Sequence, residues 1–391
     1  MTKANQSMAG PATAARAASQ KSGTATTRGC EKTIMGGLTR RSVLANAAAL
    51  AALPGAIWGT GRPARAAGKP VPFGSAIQFN LMDGDPAYRQ LFVDHCDLIM
   101  PMNALKFDLL RPTREVWNFA PADKIVDFAL RHGKTSRGTC HIWWGATPAW
   151  VKAIDSPSEA EKVLVEHIER VTDRYKGKLI SWDVVNEVIA NDPIYEKRSL
   201  RDTYWLRTLG PRHIPIAFKA TARADPDVEL VINDYDLEFQ GPHYDERRTI
   251  MLSIIRQLQD ANIRIDAVGM QGHLYASKVI DVDAIERFHR ELDQLGVKLL
   301  VTELDIIDWQ SPPGSASQDA TAADLVSRYL DALFADKPPE MVISWGLTDR
   351  YSWINDVMPR PDKAPSRPLP FNRNLQPKPW FKMLRKRLAM T

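Results

Sequence analysis

Glu187 and Glu303 each close a short apolar, β-branched run, "ISWDVVNEV" (180–188) and "LLVTELDI" (299–306). A carboxylate at the end of a buried strand needs a reason, and two of them from distant parts of the chain suggest a pair. Two carboxyl groups facing one another are the minimum equipment for splitting a glycosidic bond. One must be protonated to deliver a proton to the leaving oxygen, and the other ionised to attack the anomeric carbon. A like charge nearby raises the pKa of whichever group is less stabilised, which helps to separate the two roles. The same ending recurs elsewhere: Asn186 beside Glu187, Asn233 and Asp234 after "ELVI", Gln271 and His273 after "AVGM", Asp305 after Glu303, and Trp345 with Asp349 after "VIS". A bond from His273 to Glu303 would favour the charged carboxylate. Trp143, Trp144, Trp150, Trp345 and Trp353 cluster near the same run ends, and flat indole faces suit sugar rings. Taken singly each tryptophan is better read as core; beside the carboxylates, Trp143, Trp345 and Trp353 read as cleft walls, Trp144 and Trp150 less so.

Such endings converge only if the runs are strands of one parallel sheet. From about residue 71, apolar runs alternate with stretches of helical period, the βαβα pattern of a parallel sheet. Eight strands are predicted, at 74–78, 98–102, 136–142, 179–185, 229–233, 267–271, 299–303 and 342–346, which fits a closed (β/α)8 barrel whose strand C-termini open on one face. The spacing of Val163, Ile168, Val171 and Tyr175 predicts a helix over 158–175, and "DVDAIERFHRELDQLG" another, ended by Gly296. The stretches 310–322 and 358–370, rich in Ser, Pro and Gly, read as loops. There is no internal repeat.

The net charge of +5 belongs to the first 66 residues, which hold nine Lys/Arg against Glu31 alone; the remainder carries 42 basic and 45 acidic residues, about −3. Nucleic-acid binding therefore loses its main support. "TRRSVL" (39–44), an Ala/Leu-rich run and Ala64-Arg65-Ala66 resemble a twin-arginine export signal removed near Ala66, giving a leader over 1–66 and a catalytic domain over 67–391 that acts in the periplasm or outside the cell. The apolar run is shorter than the roughly 20 residues that span a bilayer, so no stable membrane anchor is expected. Cys96 and Cys140 read as free buried thiols, with one bridge as the alternative. No spacing suggests a metal site, no cofactor is required, and a monomer is the default.

Taken together, "WDVVNE" (182–187), "VTELDI" (301–306), "GMQGHL" (269–274) and "SWGLTDRYSW" (344–353) resemble the motifs of glycoside hydrolase family 10, the endo-β-1,4-xylanases, over about residues 73–383. The resemblance implies that Glu187 is the general acid/base and Glu303 the nucleophile. It further implies sugar contacts from Asn103, Lys106, Trp143, Asn186, Gln271, His273, Trp345 and Trp353, hydrolysis with retention, and a polysaccharide partner, xylan or a related β-1,4-glycan. Retention predicts carboxyl groups about 5–5.5 Å apart. The chain departs from the family pattern at Met102, where a sugar-binding glutamate is usual, and at Thr139 and Trp144, where histidines are usual. His141, two residues beyond Thr139, is expected on the same strand face as a partial substitute. These departures leave open another β-1,4-glycan as substrate, or a non-catalytic glycan-binding protein on the same fold.

Overall fold

The computed structural model describes residues 70–389; the expected leader lies outside them. Nine strands occur among the described residues: β1 Phe73–Ile77, β2 Leu98–Pro101, β3 Ile142–Trp143, β4 Ser181–Asn186, β5 Glu229–Asp234, β6 Ala267–Met270, β7 His273–Tyr275, β8 Lys298–Ile307 and β9 Val342–Ser344. Every pairing between them is parallel, in the order β2-β1-β9-β8-β6-β5-β4-β3, with β7 added to the far end of β8. A parallel bridge from Leu98 to Thr135, with Ile99 N–H donating to the Thr135 carbonyl at 3.0 Å, joins the two ends of that order. The (β/α)8 expectation holds.

Two layers of apolar packing account for the runs of consecutive hydrophobic residues. Ala76, Leu98, Met100, Met102, Val231, Ala267, Leu300, Ile343 and Trp345 fill the barrel interior. The opposite strand faces, with Trp182, Val184, Ile232 and Val268 among them, pack against the helices. Both faces of each strand are thus out of water, so the sequence shows no period-2 alternation.

The third strand is shorter than the 136–142 expected. Only Ile142 and Trp143 pair continuously with β4, preceded by single bridges at Thr135 and Gly138. Gly138 passes under the Trp182 ring, where an added Cβ would lie 2.1 Å from it. The sixth strand stops at Met270, because Gly272 takes φ +77 and its N–H is accepted by the buried Glu238 at 2.8 Å; burial, with Asp236 nearby, pushes Glu238 up to about 7. Strand β8, the seventh of the expected strands, runs to Ile307, past the expected end at Glu303.

Helix Pro157–Arg174 starts on Ser156, whose hydroxyl accepts from Glu159 N–H, and has Pro at its first position and Arg174 in its last turn. Helix Val282–Gln294 is capped by Asp281, and Gly296 follows at φ +70, as expected. One loop expectation is corrected. Residues 315–322 open the helix Ser315–Leu333, because Gln318, Ala322, Leu325, Val326 and Tyr329 bury one face of it, and Gln318 both accepts from Gly314 N–H and donates to Asp308. Its Ser/Ala-rich first turn conceals that period in the sequence. Cys96 and Cys140 are free and buried. No helix among the described residues is long and apolar enough to cross a membrane.

Candidate active site

The strand C-termini bring Lys106, Trp143, Asn186, Glu187, His273, Glu303, Trp345 and Trp353 around one cavity, joined by Thr139, Cys140 and Asp183. Adjacent residues of a regular strand point to opposite faces, yet Asn186 and Glu187 both reach this cavity. Two irregularities allow it: the β4–β5 register shifts between Asp183 and Val185, and Glu187 takes the left-handed φ of +55 while its N–H still bonds to the Asn233 carbonyl at 2.8 Å. A non-glycine residue in that region costs about 1 kcal/mol or more, a strain the surrounding bonds must hold. The β8–β9 register shifts likewise between Val301 and Leu304, so that Thr302 and Glu303, although neighbours, both meet Asn233.

A continuous chain of amides links the two glutamates. Gln271 Nε2 donates to Glu187 Oε1 at 3.3 Å and to Asn186 Oδ1 at 3.2 Å. Asn233 Nδ2 donates to Asn186 Oδ1 and to Glu303 Oε1, each at 2.8 Å, while Asn233 Oδ1 accepts from Thr302 Oγ1 at 2.7 Å. Buried amides with their bonds made fix side-chain positions more firmly than solvated ones. The second oxygen of each carboxyl has its own partner: Trp144 Nε1 donates to Glu187 Oε2 at 2.6 Å, and His273 Nε2 stands 3.4 Å from Glu303 Oε2.

His273 bridges two acids. Its Nδ1 lies 2.7 Å from Asp305 Oδ1, and Asp305 Oδ2 accepts from Trp353 Nε1 at 2.7 Å. Burial alone would depress His273, but Asp305 and Glu303 outweigh it and raise its pKa well above the ordinary histidine value. The imidazolium then supplies positive charge beside Glu303. Asp305→Asn removes the largest of these supports while preserving shape. Because the raised pKa belongs to His273, its charge is present at low pH and lost as pH rises through the shifted value. The Asn variant is therefore expected to lose activity at lower pH on the alkaline side than the parent. A pH profile of kcat/KM checks this; an unmoved alkaline limb would show that His273 does not set it.

Aromatic faces line the walls. The Lys106 ammonium sits 4.3 Å from the Trp143 ring centroid and 5.6 Å from that of Trp345, within cation–π range. Trp143 Nε1 is buried without a partner.

Not every residue singled out by the sequence lines this cavity. Asn103 is only half-buried and does not line the cavity; its carbonyl accepts from Lys106 N–H. Gln271 is buried and meets the cavity through its bonds to Glu187 and Asn186. His141 does not stand in for a cavity histidine: it stacks on Trp182 at 4.1 Å and bonds to Thr172, because the third strand is too irregular to preserve alternation. Thr139 donates its hydroxyl to the Pro101 carbonyl. Asp234 and Asp349, which look like Asn233 and Asp305 in the sequence, are turned to buried ion pairs with Arg247 and Lys378. Trp150, half-buried, bonds to the Arg111 carbonyl. Trp144, which with Trp150 reads less readily as a cleft wall by sequence, contacts Glu187 directly.

The model of glycosyl hydrolase family 10 matches residues 63–387. Endo-1,4-beta-xylanase A of Thermoanaerobacterium saccharolyticum is 33% identical over 329 residues, 79% of this chain and 26% of that protein, and Exoglucanase XynX of Acetivibrio thermocellus is 31% identical over 79% of this chain and 28% of its own length. The chain thus spans little more than a quarter of these two relatives. Beta-1,4-xylanase of Dictyoglomus thermophilum is 32% identical, with 75% of this chain and 82% of that one covered. Among solved structures, xylanase 10B of Thermotoga petrophila RKU-1 in complex with xylobiose superposes with a TM-score of 0.73 at 27% identity, covering 81% of this chain and 94% of that one.

Proposed function

This chain belongs to glycosyl hydrolase family 10, and from that premise we propose that it is a retaining endo-1,4-β-xylanase. The observation that carries this reading is the pair Glu187 and Glu303 on one cavity, each carboxyl held by its own set of donors and walled by Trp143, Trp345 and Trp353. A structural relative solved in complex with xylobiose supports the substrate class.

Glu303, flanked by the Asn233 amide and the His273 cation, attacks the anomeric carbon and forms a glycosyl-enzyme. Glu187 gives its proton to the leaving oxygen in that step. It then takes a proton from the water that releases the sugar, restoring both carboxyl groups and the original configuration. Lys106 and the tryptophans hold the sugar chain through hydroxyl contacts and ring stacking.

Met102 and Thr139 favour a second reading within the same chemistry. The first is apolar and buried, and the second has its hydroxyl committed to Pro101, so neither offers a sugar the polar contact that the family pattern would. With relatives named exoglucanase and celloxylanase, activity on a β-1,4-glucan is the alternative. Incubation with xylan, mixed-linkage glucan and cello-oligosaccharides, with products followed by NMR, tests both. The expected result is short xylo-oligosaccharides released first as β-anomers. Initial α-anomers would overturn retention, glucan products in excess would favour the alternative, and binding without any product would reduce the protein to a glycan-binding module.

A further inference from the structure

The shortest bond made to the Glu187 carboxyl comes from a residue outside the amide chain. Trp144 Nε1 reaches Oε2 at 2.6 Å, against 3.3 Å for Gln271 to Oε1. An indole N–H is a donor with no acceptor capacity. The Gln271 amide donates to Oε1 in the same way but at 3.3 Å, so Oε2 is the oxygen held more firmly as an acceptor and Oε1 the one freer to carry the proton.

Trp144 is itself well placed to do this. It opens the turn Trp144–Ala146 that follows β3, and Gly145 leaves room for Trp143 beside it, since a Cβ there would lie 2.7 Å from the Trp143 ring. The Arg201 guanidinium stands 5.3 Å from the Trp144 ring centroid, and its Nε donates to the Glu187 carbonyl at 2.9 Å. One arginine therefore steadies both the indole and the strained backbone of the carboxyl it meets. The residue is 38% exposed, more than one kept only for core packing would be.

Resting on the reading of Glu187 as proton donor, we propose that Trp144 is a positioning residue, whose N–H fixes the Glu187 carboxyl in one rotamer and confines the transferable proton to Oε1. The proton leaves Glu187 Oε1 as the glycosidic C–O bond breaks, and the leaving oxygen becomes a hydroxyl. This matters when the leaving oxygen is a basic sugar alkoxide and hardly at all when it is a dinitrophenolate, which departs without protonation.

The test compares kcat/KM of Trp144→Phe and the parent enzyme on xylo-oligosaccharides and on 2,4-dinitrophenyl β-xylobioside. Loss of one hydrogen bond to a charged group is expected to lower the first about tenfold or more. The second, which needs no acid, should change less than about twofold. An equal loss on both substrates, or no loss on either, overturns the proposal. Should the Phe variant melt below the assay temperature, benzothienylalanine at position 144, which keeps the indole's shape without its N–H, must give the same split, and its failure to do so overturns the proposal equally. Glu187→Ala serves as the separate control for the parent reading. If it shows no dependence on the leaving group, Glu187 is not the proton donor and the role of Trp144 falls with it. If it does while Trp144→Phe does not, only the positioning role is lost.

Discussion

Glu303→Ala is expected to lower turnover of any glycosidic substrate by on the order of 10⁴-fold or more, because removing a nucleophile abolishes the covalent route and leaves only binding and electrostatic help. The loss should not depend on the leaving group, since the bond that fails to form lies on the other side of the anomeric carbon. Glu187→Ala should behave differently, losing roughly 10²–10⁴-fold on unactivated sugars and less on activated ones. Azide separates the two roles. In the Glu303 variant it can occupy the space left by the carboxylate and attack directly, giving an α-glycosyl azide by a single inversion. In the Glu187 variant it attacks the glycosyl-enzyme and gives the β-azide. A β-azide from the Glu303 variant, or more than about a hundredth of the parent rate without azide, would exclude Glu303 as nucleophile. The surroundings of Glu303 argue for the expected outcome: the Asn233 amide and the His273 cation each meet a different oxygen, leaving the carboxylate oriented without neutralising it by direct protonation.

How much of this was legible in the sequence differs from residue to residue. Glu187 and Glu303 stood out because a carboxylate ending a buried run is costly and needs an explanation, and the barrel followed from the repeated alternation of apolar runs and helical stretches. The backbone irregularities that turn neighbouring side chains into one cavity left no such mark. The sequence "VNE" carries no glycine at the left-handed position, so the φ of +55 at Glu187 is imposed by the Asn233 carbonyl and by Arg201 rather than by local preference. His141 was placed by strand parity, and parity failed because Thr135 and Gly138 form only single bridges before β3. Trp144 and Trp150 were alike by composition and separated by where the turn after β3 points them. Asn233 and Asp305 were visible as polar strand ends, but so were Asp234 and Asp349. Only the cations opposite them, Arg247 on the helix Pro242–Asp260 and Lys378 near the C-terminal helix, decide which serve the site and which serve the fold.

Arg247→Met is expected to cost about 3–5 kcal/mol of stability, the range for breaking a buried ion pair from one side. Arg247 and Asp234 are both fully buried, with Nη2 2.6 Å from Oδ1. The same guanidinium donates to the carbonyls of Ala190 and Tyr235, at 2.6 Å from Nη1 and 2.9 Å from Nη2. Burial pushes Asp234 up, and Arg247 is the main opposing influence. Without that cation Asp234 must stay charged and unpaired or take up a proton, and the carbonyls lose their donor in either case. The position of the pair gives the change a functional side. Asp234 Oδ2 accepts from Ile189 N–H at 3.0 Å, so it ties down the segment that leaves Glu187. Slack there should lower kcat on xylo-oligosaccharides several-fold while the chemistry itself stays intact, as roughly 1 Å of misplacement is enough to do. Urea denaturation of the variant measures the first effect, and a loss under about 1 kcal/mol would show that the pair is dispensable. The double change Arg247→Met with Asp234→Leu removes both charges together. It should recover part of the lost stability, because a buried pair replaced by apolar groups is often neutral while half a pair is not. Recovery of stability without recovery of kcat would place the ion pair's function in holding the backbone beyond Glu187, through the bond to Ile189 that leucine cannot make.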